Sequence, residues 1–443
     1  MAEMQAATPA LRRDATPRRA LAFFALLATG LPVVLLSQGF FLEKALDLVL
    51  EMRLAALWGI STRRDMYLLA SSVLVPAGML ELAAIPLIVD LRRRGAPGER
   101  DVMASLATAT VLLTAVTAGM ALAVWWLSGA HGASPGEMLL ATAAFGVAGV
   151  GMGLLSIAAA QRIADRQFVF VAVRVPFIRA TILSAAFVLP LGIAAPAVGA
   201  VAAAGVLVLA VWRGLEVARW WRPRVGGLAA AAGLLALNAY PVIPRLLIER
   251  PLLGALGNGT LATLDFAEKT TVILGLAGYA IVGVAITALS GATSSYRRRA
   301  VLVALLLTPV AAAMALFARP IVTLLFERGE FGASDSAAVT ELTRLLAPSI
   351  PFVAALPLLV PGVRERGALR AGAALVAVGL LAHTLVTAYT CRTGDARPLA
   401  VAFDAVYALL FAGFYALAAG PALRDGANLG GEALSVREPL PHG

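Results

Sequence analysis

The chain has 443 residues, 60% of them hydrophobic and only 14% charged, and its mean hydropathy is +0.86. A soluble domain is about half apolar and about a quarter charged, so this composition excludes a water-soluble fold and points to a polytopic membrane protein. The net charge of +10 does not imply nucleic acid, because the arginines gather in short segments between apolar runs, and the single Cys391 excludes an internal disulfide and any zinc-type cysteine spacing.

The opening MAEMQAATPALRRDATPRRA is basic and is read as a cytoplasmic tail over 1–20. A spanning helix needs about 20 apolar residues. The apolar runs predict spans at 21–42, 66–90, 102–128, 137–160, 167–190 and 196–217. Between the first two, EKALDLVLEMRLAALW (43–58) alternates charged and apolar groups at helical spacing, so it extends the first helix or lies at the interface. Six more spans follow at 226–248, 264–289, 300–325, 338–361, 367–389 and 399–419. The expected fold is all-α: an N-terminal six-helix lobe (21–217), a basic linker (218–225), a C-terminal six-helix lobe (226–420) and a disordered tail (421–443).

Arginine sets the orientation. With the N-terminus inside, the inner segments hold 22 arginines and the outer segments 8, which predicts a multi-pass inner-membrane protein with both termini in the cytoplasm. The two lobes also resemble each other. ALWGISTRRDMYLLA (56–70) and LGNGTLATLDFAEKT (256–270) align at an offset of 200, with Gly59 on Gly259 and Asp65 on Asp265. Each helix that follows ends at a triple arginine, Arg92–Arg94 or Arg297–Arg299. Halves with an even number of spans share orientation, so the pattern is a parallel repeat of the kind transporters use.

No catalytic constellation and no metal-ligand spacing stands out, and nothing nominates an enzyme or a cofactor. Ionisable groups at membrane depth are the informative residues, since they face a cavity or pair with one another. Asp265, Glu268 and Lys269 share one helical face, and Lys269 follows Asp265 by four residues, the favourable order for an ion pair. Two readings stand: a salt bridge at a helix start, or a cation presented to an anionic substrate headgroup. Lys269 and Lys44 are the only lysines. Arg245, inside the end of the seventh span, either snorkels or shares a cavity with Lys269. Arg179 lies deep in the fifth span, beyond Arg174 and Pro176. Glu51 and Arg53 read as an interfacial ion pair. Asp404, His383 and Asn238, in the twelfth, eleventh and seventh spans, are candidates for binding a coupling proton or cation, or are polar groups that satisfy their neighbours.

TLDFAEKTTVILGLAGYAIVGVAITALS (263–290) resembles the segment of the MurJ/MviN lipid II flippases that runs Y-A-D-R and then an apolar helix ending L-P-x-L-S; Phe266, Ala267, Glu268 and Lys269 stand at Y-A-D-R. Upstream, in IPRLLIERPLLGALGNGTLATL, Arg245 takes the Arg of the family's D-R pair and Pro244 replaces the acid. RPIVTLLFERGEFGASDSAAV (319–339) is the closest match, with Pro320, Phe326, Arg328, Gly329, Phe331 and Asp335 in place. GISTRRDMYLLASSVLVP (59–76) matches with Gly59, Asp65, Ala70 and Pro76.

The resemblance implies the MOP exporter fold, two six-helix lobes in a V around a central cavity. It implies the movement of a polyprenyl-diphosphate-linked saccharide, such as the peptidoglycan precursor, from the inner to the outer leaflet. Lys269 would be the cavity cation of the second lobe, with Arg245 and Glu268 beside it, and Asp65 the matching acid of the first. The driving force would be the membrane potential or a proton or cation gradient, and the partners the lipid-linked saccharide, membrane lipids and envelope-synthesis proteins. The sequence departs from the pattern in the first lobe. Leu50 and Glu51 stand where the family has R-D, and PAGMLELAAIP (76–86) lacks the arginines usual there. The thinner basic set leaves open an exopolysaccharide or O-antigen repeat unit as cargo, a transport-inactive scaffold, and a drug or cation antiporter of the same fold.

Overall fold

The computed structural model describes residues 38–78 (Phe40 aside), isolated positions between 85 and 92, and residues 99–212 (Ala130 and His131 aside), 243–271 and 296–419. Most of the first, seventh and eighth predicted spans, much of the end of the second, the linker over 218–225 and both tails lie outside the described residues.

The described chain is helical throughout, apart from an isolated bridge between Arg328 and Phe331. In the first half the helices are α1 (41–58), α2 (Thr62–Ser71), α3 (Glu99–Ser128), α4 (Pro135–Ala164), α5 (Phe168–Val188) and α6 (Ala195–Val211). In the second half they are α7 (Ile243–Gly254), α8 (260–271), α9 (Tyr296–Phe326), α10 (Ala333–Leu346), α11 (Ile350–Ala355), α12 (Val360–Glu365), α13 (Leu369–Thr393) and α14 (Arg397–Leu417). Among the described residues, eight helical runs are long and apolar enough to cross a bilayer. They fall on the third to sixth and ninth to twelfth predicted spans, within a few residues at each end. The chain is a polytopic all-α membrane protein. The charged stretch 43–58 is helical, as its spacing implied.

Local chemistry explains the helix ends. Ser134 accepts the Glu137 N–H and Pro135 opens α4. Gly394, in the left-handed region, closes α13 before the tight turn into α14. The packing follows membrane rules, with small and hydroxyl side chains turned inward and large apolar ones outward. On α3, Thr110, Thr114 and Thr117 are buried while Val111, Leu112 and Val116 are exposed. Thr110 packs so closely on α4 that a Cβ at Gly153 would collide with it. Thr110 and Thr117 bond back into their own helix, Thr110 to the Leu106 carbonyl at 2.8 Å and Thr117 to the Leu113 carbonyl at 2.7 Å.

In the first half α6 packs on both α4 and α5, and α3 packs on α4. In the second, α9 packs on α10 and α11, and α13 on α14. The helix α7 packs on α13 within its own half and reaches α2 and α3 of the other.

Candidate functional site

The two halves meet where their matched segments begin. Gly59 and Gly259, the aligned glycines, both have positive φ, 53° and 82°. Each ends a turn that launches a helix. Ser61 caps α2 locally by accepting the Arg64 N–H at 3.3 Å. The start of α8 is capped from the other half: Asp65 accepts the Gly259 and Ala262 N–H groups, both at 2.8 Å. Thr62 donates to the Gly257 carbonyl at 2.5 Å. Asp65 is fully buried with both carboxylate oxygens occupied. The helix therefore begins at 260, one turn ahead of the predicted 264, because its N-terminal N–H groups find their acceptor some two hundred residues away.

A buried ion cluster sits just inside this contact. Arg64, with no solvent exposure, donates through Nη2 to Glu51 of α1 and to Asp265 of α8, the latter at 2.9 Å. Its guanidinium lies 4.9 Å from the ring centres of both Tyr67 and Phe266. Lys269 pairs with Glu51 and, at 3.0 Å, with Asp265. Arg250, at the middle of α7, approaches Asp265 at 3.6 Å and Ser71 Oγ at 3.3 Å. Three cations thus converge on two carboxylates, and a buried charge is tolerated only when partnered in this way. Lys269 remains 28% exposed, against 12% for Arg250 and none for Arg64, so it is the most accessible cation of the cluster.

The sequence-predicted residues divide around this cluster. Asp265 and Lys269 form it, with the i,i+4 pair as read from the sequence. Glu268 is half-buried on the same helix. Arg245 lies on the described backbone of α7, but its side chain is outside the described residues, as is all of Asn238. Arg179 is not brought to the cluster; its Nε pairs with Asp47 of α1 at 2.9 Å. The expected pairing of Glu51 with Arg53 does not form. Glu51 faces the other half, and Arg53 stacks over the Phe187 ring at 4.7 Å. His383 is buried against Glu249 of α7 rather than against Asp404. Asp404 instead faces Ser349, in the turn between α10 and α11. Glu51, Arg64 and Arg250 are the members the sequence reading did not place in the site. The signal for Arg64 was present in the repeat, since it immediately precedes the Asp65 that aligns with Asp265.

The 328–331 stretch forms a tight turn on the end of α1. Glu330 N–H donates to the Ala56 carbonyl at 3.1 Å. Gly329 has φ +59°, and a Cβ there would strike that same carbonyl oxygen. Phe331 is buried and joins Phe326 and Phe266 in a triad with ring centres 5.1–5.8 Å apart. Asp335 accepts the Gly332 N–H at 3.3 Å and lies 3.5 Å from the Ile60 N–H. Arg328 is exposed and turns back to the Leu324 carbonyl. Gly329 and Glu330 therefore connect the second half to the first through the backbone, while Phe331 anchors the turn on the rings of its own half.

A protein-family model for the lipid II flippase MurJ matches residues 254–363, from the end of α7 through α12. A solved structure of lipid II flippase MurJ in an inward closed conformation matches with a TM-score of 0.63 at 13% identity, over 86% of each chain. An inward-facing multidrug resistance MATE family transporter of the MOP superfamily matches with a TM-score of 0.53 at 11% identity, over 85% of this chain and 95% of that one. No curated protein matches by sequence. The chain is MurJ-like and divergent: it shares the fold of these transporters, and the matched stretch contains Asp265, Lys269 and the 328–331 turn.

Proposed function

We propose that this chain is a flippase that carries a polyprenyl-diphosphate-linked saccharide from the inner to the outer leaflet of the bacterial inner membrane by alternating access. The observation that carries the reading is Lys269, a partly exposed lysine held at the junction of the halves by Glu51 and Asp265. A lysine is a compact, rotatable point charge, suited to exchanging a carboxylate for a phosphate and releasing it again. When the halves separate at this end, the Glu51 contact is lost and Lys269 is freed toward the cleft. Lys269, with Arg250 beside it on Asp265, supports an anionic headgroup over a cationic drug. Arg245 joins Lys269 in holding the diphosphate, and Glu268 and Asp265 orient it. Asp65 and Arg179 contribute by fixing α8 and α1. The two lobes, 21–217 and 226–420, rock about the 218–225 linker, with both termini in the cytoplasm.

The membrane potential returns the empty cationic site inward, at roughly 2.3 kcal/mol per charge per 100 mV. Of the ion-coupling candidates, His383 has the stronger support, because it is buried against a carboxylate on α7. A second cargo, an exopolysaccharide or O-antigen repeat unit on the same lipid carrier, is favoured by one observation: Leu50 occupies the first-lobe position where the MurJ pattern has an arginine. Depleting the protein in its host and identifying the lipid-linked intermediates distinguishes them. Accumulated lipid II supports the peptidoglycan precursor, and a different saccharide-lipid supports polysaccharide export. Complementation by Lys269→Ala is expected to fail and by Lys269→Arg to be partial. Full complementation by Lys269→Ala overturns the role given to Lys269 and leaves a scaffold as the better reading.

A further inference from the structure

Two adjoining cavities lie at the far end of the first half, where the arginine distribution places the cytoplasm. One, of about 420 Å³, is lined by Arg92, Arg100, Arg162, Glu99, Asp165 and Gln161 among others. The other, of about 560 Å³, opens between α5 and α6 along Phe170, Val173 and Leu207 and includes Arg166 and Arg174. They share Arg162 and Gln167 as a common wall. Together five arginines face two carboxylates. Arg92 meets Glu99 at 3.2 Å and Asp165 at 3.0 Å. The second cavity is a groove open to the bilayer, since Val169 and Val173 on its wall are 65% and 56% exposed. Alpha-helix α5 starts at this wall with Gln167 as its first flanking residue, whose side chain makes no cap. The N–H groups of its first turn add a partial positive charge at the same place.

We propose that the two cavities form one binding site for an anionic phospholipid, with its phosphate on Arg100, Arg162 and Arg166 and an acyl chain along Phe170, Val173 and Leu207. The paired geometry selects a lipid over a soluble anion. A basic recess at headgroup depth continues into an apolar groove, and only a molecule with a charged head and an apolar tail uses both. Arginine suits the head, because its planar fork donates two hydrogen bonds to one phosphate. Arg162 already stacks over Phe170, its guanidinium 4.9 Å from the ring centre, which fixes it at the rim between recess and groove. The site lies in the first half alone and stands apart from the flippase reading.

The test is lipid retention by the purified full-length chain, read by native mass spectrometry during titration with dioleoyl phosphatidylglycerol, dioleoyl phosphatidylcholine or glycerol 1-phosphate. Phosphatidylglycerol is expected to be retained about tenfold or more over phosphatidylcholine, with Arg100→Gln plus Arg162→Gln removing the preference and Arg319→Gln, at an exposed position on α9, keeping it. If the double variant does not fold, Arg166→Gln alone is expected to weaken retention, because that side chain is exposed. Equal retention of the two lipids overturns the proposal. So does a preference that survives in the folded variants. Binding of glycerol 1-phosphate as tight as that of phosphatidylglycerol replaces the lipid with a soluble phosphate ester.

Discussion

Arg64 carries more of the junction than any other side chain. It is fully buried, bridges Glu51 and Asp265, and lies between two aromatic rings. Removing one member of a buried ion pair costs about 3–5 kcal/mol, because the remaining charge is stranded. Arg64→Ala strands two carboxylates with Lys269 and Arg250 as their remaining partners. It is expected to lower the thermal unfolding midpoint in detergent well below that of Arg328→Ala, which alters an exposed side chain. Arg64→Lys is expected to recover little, since an ammonium cannot stack on Tyr67 and Phe266 as the planar guanidinium does. Equal midpoints for Arg64→Ala and Arg328→Ala would refute this assignment. The residue scale also shows what a sequence conveys. The Asp265–Lys269 pair was legible because both members sit on one helix at i,i+4. Arg64 was not, because it precedes the apolar run and its partners lie 13 and 201 positions away. Asp65 was visible as the counterpart of Asp265, yet its task, capping α8, depends on a contact between halves that no local pattern encodes.

Helices were the legible elements, and their terminations were less so. Long apolar runs locate the spans because a bilayer requires backbone hydrogen bonds to close within each segment. The start of α8 moved because its cap is distant, and α1 gained its charged turns from ion pairs that satisfy them. The turn at 328–331 is the element whose sequence match has the clearest physical reason. Gly329 needs φ +59° and must let the Ala56 carbonyl approach, so it is constrained twice. Gly329→Ala is expected to destabilise the protein by more than about 1 kcal/mol, since an incompatible φ alone exceeds the usual entropic benefit of alanine. Arg328→Ala, at the adjacent exposed position, should leave the thermal midpoint nearly unchanged. A Gly329→Ala midpoint equal to wild type would mean that the turn relaxes away from α1 without loss, and the close approach would not be a constraint.

At the scale of the whole molecule, the contact between halves has a direction. Asp65 with Gly259, Thr62 with Gly257, Glu51 with Lys269 and Ala56 with Glu330 all join the same ends of their helices. The repeat made this legible in outline, because two matched Gly-to-Asp segments in parallel halves imply a junction between like ends. The sequence could not say that the junction is closed, because closure rests on pairs between residues about 200 or more positions apart. Under the proposed alternating access, this closed end opens to release cargo. The Glu330 N–H bonds the Ala56 carbonyl at 3.1 Å, so the two backbones are near enough for a disulfide between side chains placed there. In a Cys391→Ser background, Ala56→Cys with Glu330→Cys is expected to cross-link on mild oxidation. Cross-linking should then stop complementation and accumulate the lipid-linked intermediate, and reduction should restore both. Each single cysteine variant should be unaffected by oxidant. If the fully cross-linked protein still supports growth and no intermediate accumulates, the halves need not part at this end. Lys269 would then be a static structural lysine, and the cluster around Arg64 a permanent joint rather than a gate.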